Sequence, residues 1–126
     1  MRNSAYFFGW NGASGYAVQA DDGQNDARLV VQLNGGEPDP SEKGNYTILD
    51  SDYDRYTIVY SCESIWYGFA SFEYLWILAR ETEISDELLE ELVNKIDEAL
   101  PDYEFYENTV KTVQGDSCSY DDRPAE

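Results

Sequence analysis

Asn45–Cys62 reads NYTILDSDYDRYTIVYSC. Two runs that alternate apolar and polar residues flank an acidic, tyrosine-bearing turn. A third run, Tyr74-Leu75-Trp76-Ile77-Leu78-Ala79-Arg80, follows after a longer loop. Strand, tight turn, strand, loop, strand is the pattern of an antiparallel β-meander.

Working outward from it, Ser4 to Trp10 is aromatic and predicts a strand. Asn11-Gly12-Ala13-Ser14-Gly15 predicts a turn. Tyr16 to Ala20 predicts a short strand. Arg28 to Leu33 alternates, with Leu29, Val31 and Leu33 on one face. Residues 34–44, rich in Gly, Pro and acid, form a loop. Tyr46 to Asp50, Tyr56 to Cys62 and Phe72 to Arg80 complete the meander. The period then changes: Leu88, Leu89, Leu92, Val93, Ile96 and Leu100 recur at helical spacing. A helix is predicted over about residues 85–100, with Ser85 as N-cap and Asp86 and Glu87 complementing its dipole. Glu91 and Lys95 stand in the favourable i,i+4 order, and Pro101 ends the helix. Phe105 to Val113 predicts a last strand, and 119–126 a polar tail. The expectation is one domain over residues 1–126, mostly β, with seven strands at most and one helix lying against the sheet.

Composition narrows the chemistry. The chain carries 26 acidic and 8 basic residues, a net charge of −18. Such a polyanion repels nucleic acid and anionic membranes, and leaves room for a basic partner. The chain has no histidine. That removes Ser-His and Cys-His nucleophiles, His-ligated zinc and imidazole acid–base chemistry. Cys62 and Cys118 lie far from Cys-x-x-Cys spacing, so no metal site is expected. No run approaches the roughly 18 apolar residues of a transmembrane helix. Met1-Arg2-Asn3 leads straight into aromatics and glycines rather than a signal peptide. The chain then reads either as a mature or trimmed form, or as one that is not secreted. With 11 Tyr, 5 Phe and 3 Trp, it is rich in side chains that join an apolar body to a polar or aromatic handle.

The motifs together resemble the lipocalins, in the branch of apolipoprotein D, the insect bilin-binding proteins and the crustacyanins. Ala27-Arg28-Leu29-Val30-Val31 is similar to the branch's Ala-Lys-Leu-x-Val strand. Asn45 to Cys62 is similar to its Tyr-Trp-Val-Leu-x-Thr-Asp-Tyr-x-Asn-Tyr-Ala-x-Val-Tyr-Ser-Cys hairpin, with Ser51-Asp52-Tyr53 in place of Thr-Asp-Tyr. Trp76-Ile77-Leu78-Ala79-Arg80 matches Trp-Ile-Leu-x-Arg, and Thr112-Val113-Gln114 with Cys118 resembles the closing Thr-x-Gln-x-x-Cys. The resemblance runs from about Gly15 to Cys118. It implies an up-and-down antiparallel barrel with a helix packed outside, around a space for one small ligand.

The family's opening Gly-x-Trp strand has no clear match, since Gly9-Trp10 lacks the intervening residue. Three readings stay open: a fragment, a shortened barrel closed by its own aromatic N-terminus, or an incomplete barrel completed by another chain. In the family the hairpin and C-terminal cysteines each pair with an N-terminal partner, which is absent here. Cys62 and Cys118 are therefore disulfide candidates with each other or between chains, or remain free.

The resemblance places Trp76 on the cavity face, and strand parity adds Tyr74, Leu78 and Arg80. Tyr46, where the branch has a pocket Tyr, shares its face with Ile48. Leu29, Val31 and Leu33 supply a further apolar wall. On the next strand either Tyr56, Ile58 and Tyr60 or Thr57, Val59 and Ser61 point inward, and the first set is preferred. Asp52, Tyr53 and Arg80 are expected to be structural, with Arg80 stacking on an aromatic at the closed end. The implied function is non-catalytic binding and transport of a small hydrophobic ligand, such as a bilin, carotenoid, retinoid or fatty acid. A bound bilin or carotenoid is the cofactor to look for. The alternative is a structural subunit of a larger assembly, meeting a protein partner or a second copy. The family implies a secreted protein, or failing that an organelle lumen.

Overall fold

The computed structural model describes residues 2–6, 10–21, 23, 27–33 and 35–117. Among them are six strands and two helices: β1 (Arg2–Tyr6), β2 (Trp10–Gln19), β3 (Arg28–Leu33), β4 (Tyr46–Ser51), β5 (Tyr56–Ile65), β6 (Ala70–Ala79), α1 (Asp86–Ala99) and α2 (Phe105–Asn108). The polar tail 119–126 and Cys118 lie outside the described residues. The chain forms two compact units. One runs to Tyr46 and takes up the chain again at Asp116; the other is Thr47–Gly115.

In the first unit β1 pairs antiparallel with β2, from Arg2↔Ser14 to Tyr6↔Trp10. β2 pairs antiparallel with β3, from Gly15↔Leu33 to Gln19↔Leu29. The turn expected at Asn11–Gly15 is therefore strand, and Trp10 opens β2 rather than closing the strand before it. Gly15 has a steric role instead. A Cβ there would overlap the carbonyl of Gln32, so β3 approaches closer than any side chain allows. Val30 is the most deeply buried residue of β3, opposite Val18. Gly44 lets the chain return against this sheet, since its Cβ would press on Cβ of Arg28 and of Ala20. Asn45 then extends the ladder: its N–H donates to Leu29 O (3.0 Å). Its side chain meets Val31 twice, accepting from the N–H at 2.9 Å and donating to the C=O at 3.1 Å.

In the second unit β5 pairs antiparallel with β4 on one side and with β6 on the other. A bulge between Ile48 and Asp50 turns Leu49 into the helix-side core. The β5–β6 hairpin keeps ten residue pairs in register, Tyr56↔Ala79 to Ile65↔Ala70. It turns through a short 3-10 segment, Trp66–Gly68.

The β4–β5 turn is built by one carboxylate. Asp52 Oδ1 accepts the N–H groups of Asp54 (3.1 Å), Arg55 (2.7 Å) and Tyr56 (3.1 Å), and Oδ2 accepts Arg55 Nε at 2.7 Å. Desolvation works against its charge, but the N–H groups and the guanidinium outweigh it and hold the carboxyl well below the usual range. Tyr53 takes a positive φ of 63° beside it, with its N–H on Ser51 Oγ. From the end of β6, Arg80 Nη2 donates to Tyr53 O (3.3 Å) and Arg80 N–H to Arg55 O (3.1 Å). The cation lying over a ring here is Arg55, 5.9 Å from the Tyr56 centroid.

Helix α1 matches its expected span. Ser85 caps it, accepting from Leu88 N–H at 3.2 Å. Its apolar stripe packs Leu92 and Ile96 onto Tyr56 and Ile58, ringed by Leu49, Leu75, Ile77, Ile84, Leu88, Leu100, Tyr103 and Phe105. Lys95 reaches across to Asp50 (2.9 Å) rather than along the helix to Glu91. Asp50 also accepts the Tyr56 hydroxyl at 2.7 Å. These two bonds, Tyr56 first, lower the Asp50 pKa against a weaker opposing effect of burial. The strand expected at Phe105–Val113 is absent. Phe105–Asn108 is one helical turn, because Asn108 Nδ2 and Thr109 Oγ1 bond back to Glu104 O (2.9 Å) and Phe105 O (2.6 Å) while Phe105 joins the core. No strand follows it up to Ser117.

Leu92→Ala empties the centre of this core and is expected to cost about 3 kcal/mol of stability in denaturant unfolding. Asp50 has a folded pKa below its unfolded value near 3.9. Its contribution is thus present at neutral pH and lost as pH falls below about 4. The stability gap between wild type and Asp50→Asn should be clear at neutral pH and shrink in acid. A gap independent of pH would contradict the Asp50 assignment.

Candidate ligand-binding face

Cross-strand register decides which side chains of the second unit share a face, because directly opposed residues of antiparallel strands point the same way. Val59 opposes Trp76, Thr57 opposes Leu78, Ser61 opposes Tyr74 and Glu63 opposes Phe72; across β4, Ile48 opposes Val59. Ile48, Val59 and Trp76 thus form one row, flanked by Thr57 with Leu78 and by Ser61 with Tyr74. Tyr56, Ile58 and Tyr60 oppose Ala79, Ile77 and Leu75 on the other face. Tyr56 and Ile58 there are buried under α1.

This corrects the preferred reading of β5. Tyr56, Ile58 and Tyr60 lie on the helix-covered face, and Thr57, Val59 and Ser61 share the face of Trp76. The physical reason is the helix. Its stripe needs a flat apolar floor, and Tyr56 with Ile58 supplies it while the Tyr56 hydroxyl reaches Asp50 at the rim.

The Trp76 face has a closed floor and an open rim. Val59 is wholly buried and Ser61 nearly so, yet Phe72, Tyr74, Trp76 and Leu78 along β6 remain 40–52% exposed. Tyr74 and Trp76 stack with rings 5.7 Å apart and 7° from parallel. Thr57 Oγ1 lies 2.8 Å from Ser51 Oγ at one end of the face. Indole, phenol and hydroxyl groups thus border an apolar strip, the donor-poor surface that a hydrophobic ligand with a few polar atoms requires. Phe72 is absent from the site residues read in the sequence, and Thr57, Val59 and Ser61 stand there as the less preferred of two alternatives. Phe72 was legible from its spacing of two and four from Tyr74 and Trp76; the β5 row was not, because both parities of β5 carry apolar and hydroxyl side chains.

The other site residues fall as follows. Ile48, Tyr74, Trp76 and Leu78 come together on this face. Leu29, Val31, Leu33 and Tyr46 belong to the first unit. There Leu29 and Val31 are half-buried and Leu33 is 37% exposed, on the side of β3 opposite buried Val30. Tyr46 is half-buried, and desolvation pushes its hydroxyl pKa up. On the helix-side face the Tyr60 hydroxyl donates to Glu73 at 2.7 Å. Its pKa is raised by desolvation first and then by Glu73 and Cys62. Cys62 is exposed and forms no disulfide with any described residue. Among the described residues no cluster of His, Cys, Asp and Glu could hold a metal ion, and no helix is long and apolar enough to cross a membrane.

Comparison with known proteins agrees with the fold. The chain is 33% identical over 104 residues to the Lazarillo protein of Schistocerca americana, covering 82% of this chain and 47% of that one. It is 35% identical over 75 residues to the crustacyanin-A1 subunit of Homarus gammarus, covering 59% and 39% respectively. The chain thus spans about half the length, or less, of these curated relatives. Among solved structures, lobster apocrustacyanin A1 superposes with a TM-score of 0.65 at 23% identity, covering 89% of this chain and 56% of that one. Apocrustacyanin C2 gives 0.66 at 21% identity, covering 94% and 60%. A lipocalin-like domain model matches residues 1–111, most of the chain, and the chain belongs to the lipocalin family.

Proposed function

We propose that this chain holds a small hydrophobic ligand non-covalently against the Trp76 face. The observation that carries the reading is the exposure of Phe72, Tyr74, Trp76 and Leu78 above a fully buried Val59. An apolar strip of this kind is unfavourable in water unless something covers it. Covering ~200 Å² of apolar surface is worth about 5 kcal/mol before the costs of association. A flat conjugated ligand, bilin-like or carotenoid-like, suits the stacked Tyr74–Trp76 pair; a fatty acid or retinoid would use only the apolar strip. Within the first unit, Leu29, Val31, Leu33 and Tyr46 are proposed as an apolar wall of their own. Asp52, Tyr53 and Arg80 hold the β4–β5 turn. The reading is binding without chemistry, in a chain that lacks histidine. Transport outside the cell fits the family.

A second reading has one observation behind it. The crustacyanin relatives are named as subunits, and a chain of net charge −18 offers a basic protein partner strong electrostatic steering. On that reading the Trp76 face meets protein rather than a small molecule.

Titration with a bilin, a carotenoid and a fatty acid, followed by tryptophan emission, separates the two. At least one should quench the emission saturably. By calorimetry Trp76→Ala should weaken that ligand about ten-fold, a loss near 1.4 kcal/mol, while Asn94→Ala on the exposed side of α1 leaves it unchanged. Absence of saturable binding by all three ligands would remove the first reading.

A further inference from the structure

Asn45-Tyr46-Thr47 is the only Asn-x-Ser/Thr sequence in the chain, the acceptor pattern for N-linked oligosaccharide in secreted proteins. The folded chain uses the same amide for another purpose. Asn45 Oδ1 accepts the Val31 N–H and Nδ2 donates to the Val31 C=O. One amide edge thereby satisfies both main-chain groups of one β3 residue, as a neighbouring strand would. The Asn45 N–H is already on Leu29 O, two residues along β3. Gly44 holds this stretch tight against the sheet, where even a methyl group would press on Arg28 and Ala20.

Glycosylation and this clamp compete for one hydrogen. The reaction joins Nδ2 to C1 of a sugar carried on a lipid-linked oligosaccharyl pyrophosphate. The C1–N bond forms, the C1–O bond to pyrophosphate breaks, and Nδ2 gives up one proton. The product is a secondary amide, which strongly prefers to place the sugar on the oxygen side of the C–N bond. That is the edge that faces Val31. The remaining hydrogen then points away from Val31 O, and a sugar ring stands where the β3 backbone lies.

We propose that Asn45 is a folding-gated glycosylation site: the amide can carry a sugar only while it is unpaired from β3, and native pairing with Val31 shuts the site. Natively folded chains are then sugar-free at Asn45, and any sugar added before β3 pairs keeps that strand from taking its register.

The experiment expresses the full chain behind a secretion leader in a eukaryotic host. Intact mass is read before and after peptide N-glycanase, on the folded fraction and on the retained fraction. The folded wild type should carry no sugar. Val31→Pro, which lacks the clamp's N–H donor, should raise occupancy several-fold in the retained fraction. Thr47→Ala, which removes the acceptor pattern but not the amide, should leave the unfolding midpoint of the wild type unchanged. Asn45→Asp, which loses the donor to Val31 O, should lower it. A folded, cooperatively unfolding chain bearing sugar on Asn45 would overturn the proposal. So would a Val31→Pro chain that stays unglycosylated, or an Asn45→Asp midpoint equal to that of the wild type.

Discussion

Strand β5 is buried on both faces, and the second unit is organised around that fact. Ile58 and Val59 are consecutive residues, and each is almost wholly shielded from water. In a strand they point to opposite sides, so each side must be covered by something different. Helix α1 covers Ile58 with Leu92 and Ile96. Val59 sits on the opposite face, in the middle of the row that runs from Ile48 to Trp76. A one-residue slip would exchange the two faces and put Thr57, Val59 and Ser61 beneath a helix built to receive Tyr56 and Ile58. The Asp52 turn resists that slip: three N–H groups and a guanidinium converge on one carboxylate, which fixes where β5 begins.

The same arrangement shows what the sequence could say. The β4, β5 and β6 strands were legible because apolar and polar residues alternate, and α1 because leucines recur at helical spacing behind a serine cap. The face of β5 was not. Tyr56, Ile58 and Tyr60 make as convincing a ligand wall as Thr57, Val59 and Ser61 make a core, and composition cannot rank them. The choice is made by long-range pairing with β6 and by the helix, neither of which is local. Two other readings failed for local reasons that only geometry exposes. Gly15 reads as a turn residue, yet it is a strand glycine that admits the Gln32 carbonyl. Phe105–Val113 reads as a strand, yet the side chains of Asn108 and Thr109 close a helical turn.

Charge acts at two scales in this chain. Globally the net charge of −18 sets solubility and the kind of partner that can approach. Locally the few cations are placed where they join elements. Lys95 ties α1 to β4 through Asp50, Arg55 closes the turn on Asp52, and Arg80 holds the same turn from the end of β6. Solvent screens the charge attraction in each of these pairs, so the hydrogen bonds that accompany them, such as Tyr56 to Asp50, matter more to stability. Their contribution is to fix geometry: Asp50 is anchored by Lys95 and Tyr56 together, which sets helix and hairpin in one orientation.

That orientation gives the two faces of a single strand pair different surroundings. The β5–β6 hairpin gives one face to the helix, where Ile58, Ile77 and Leu75 are spent on folding. The other face keeps Tyr74, Trp76 and Leu78 partly in water. Substitutions on the first face act through the core and change everything at once. Substitutions at the rim of the second change little in the core, because the floor beneath is already closed by Val59. The aromatic rim can therefore vary without disturbing the strand register that presents it, because register is fixed by the helix-covered face and by the Asp52 turn.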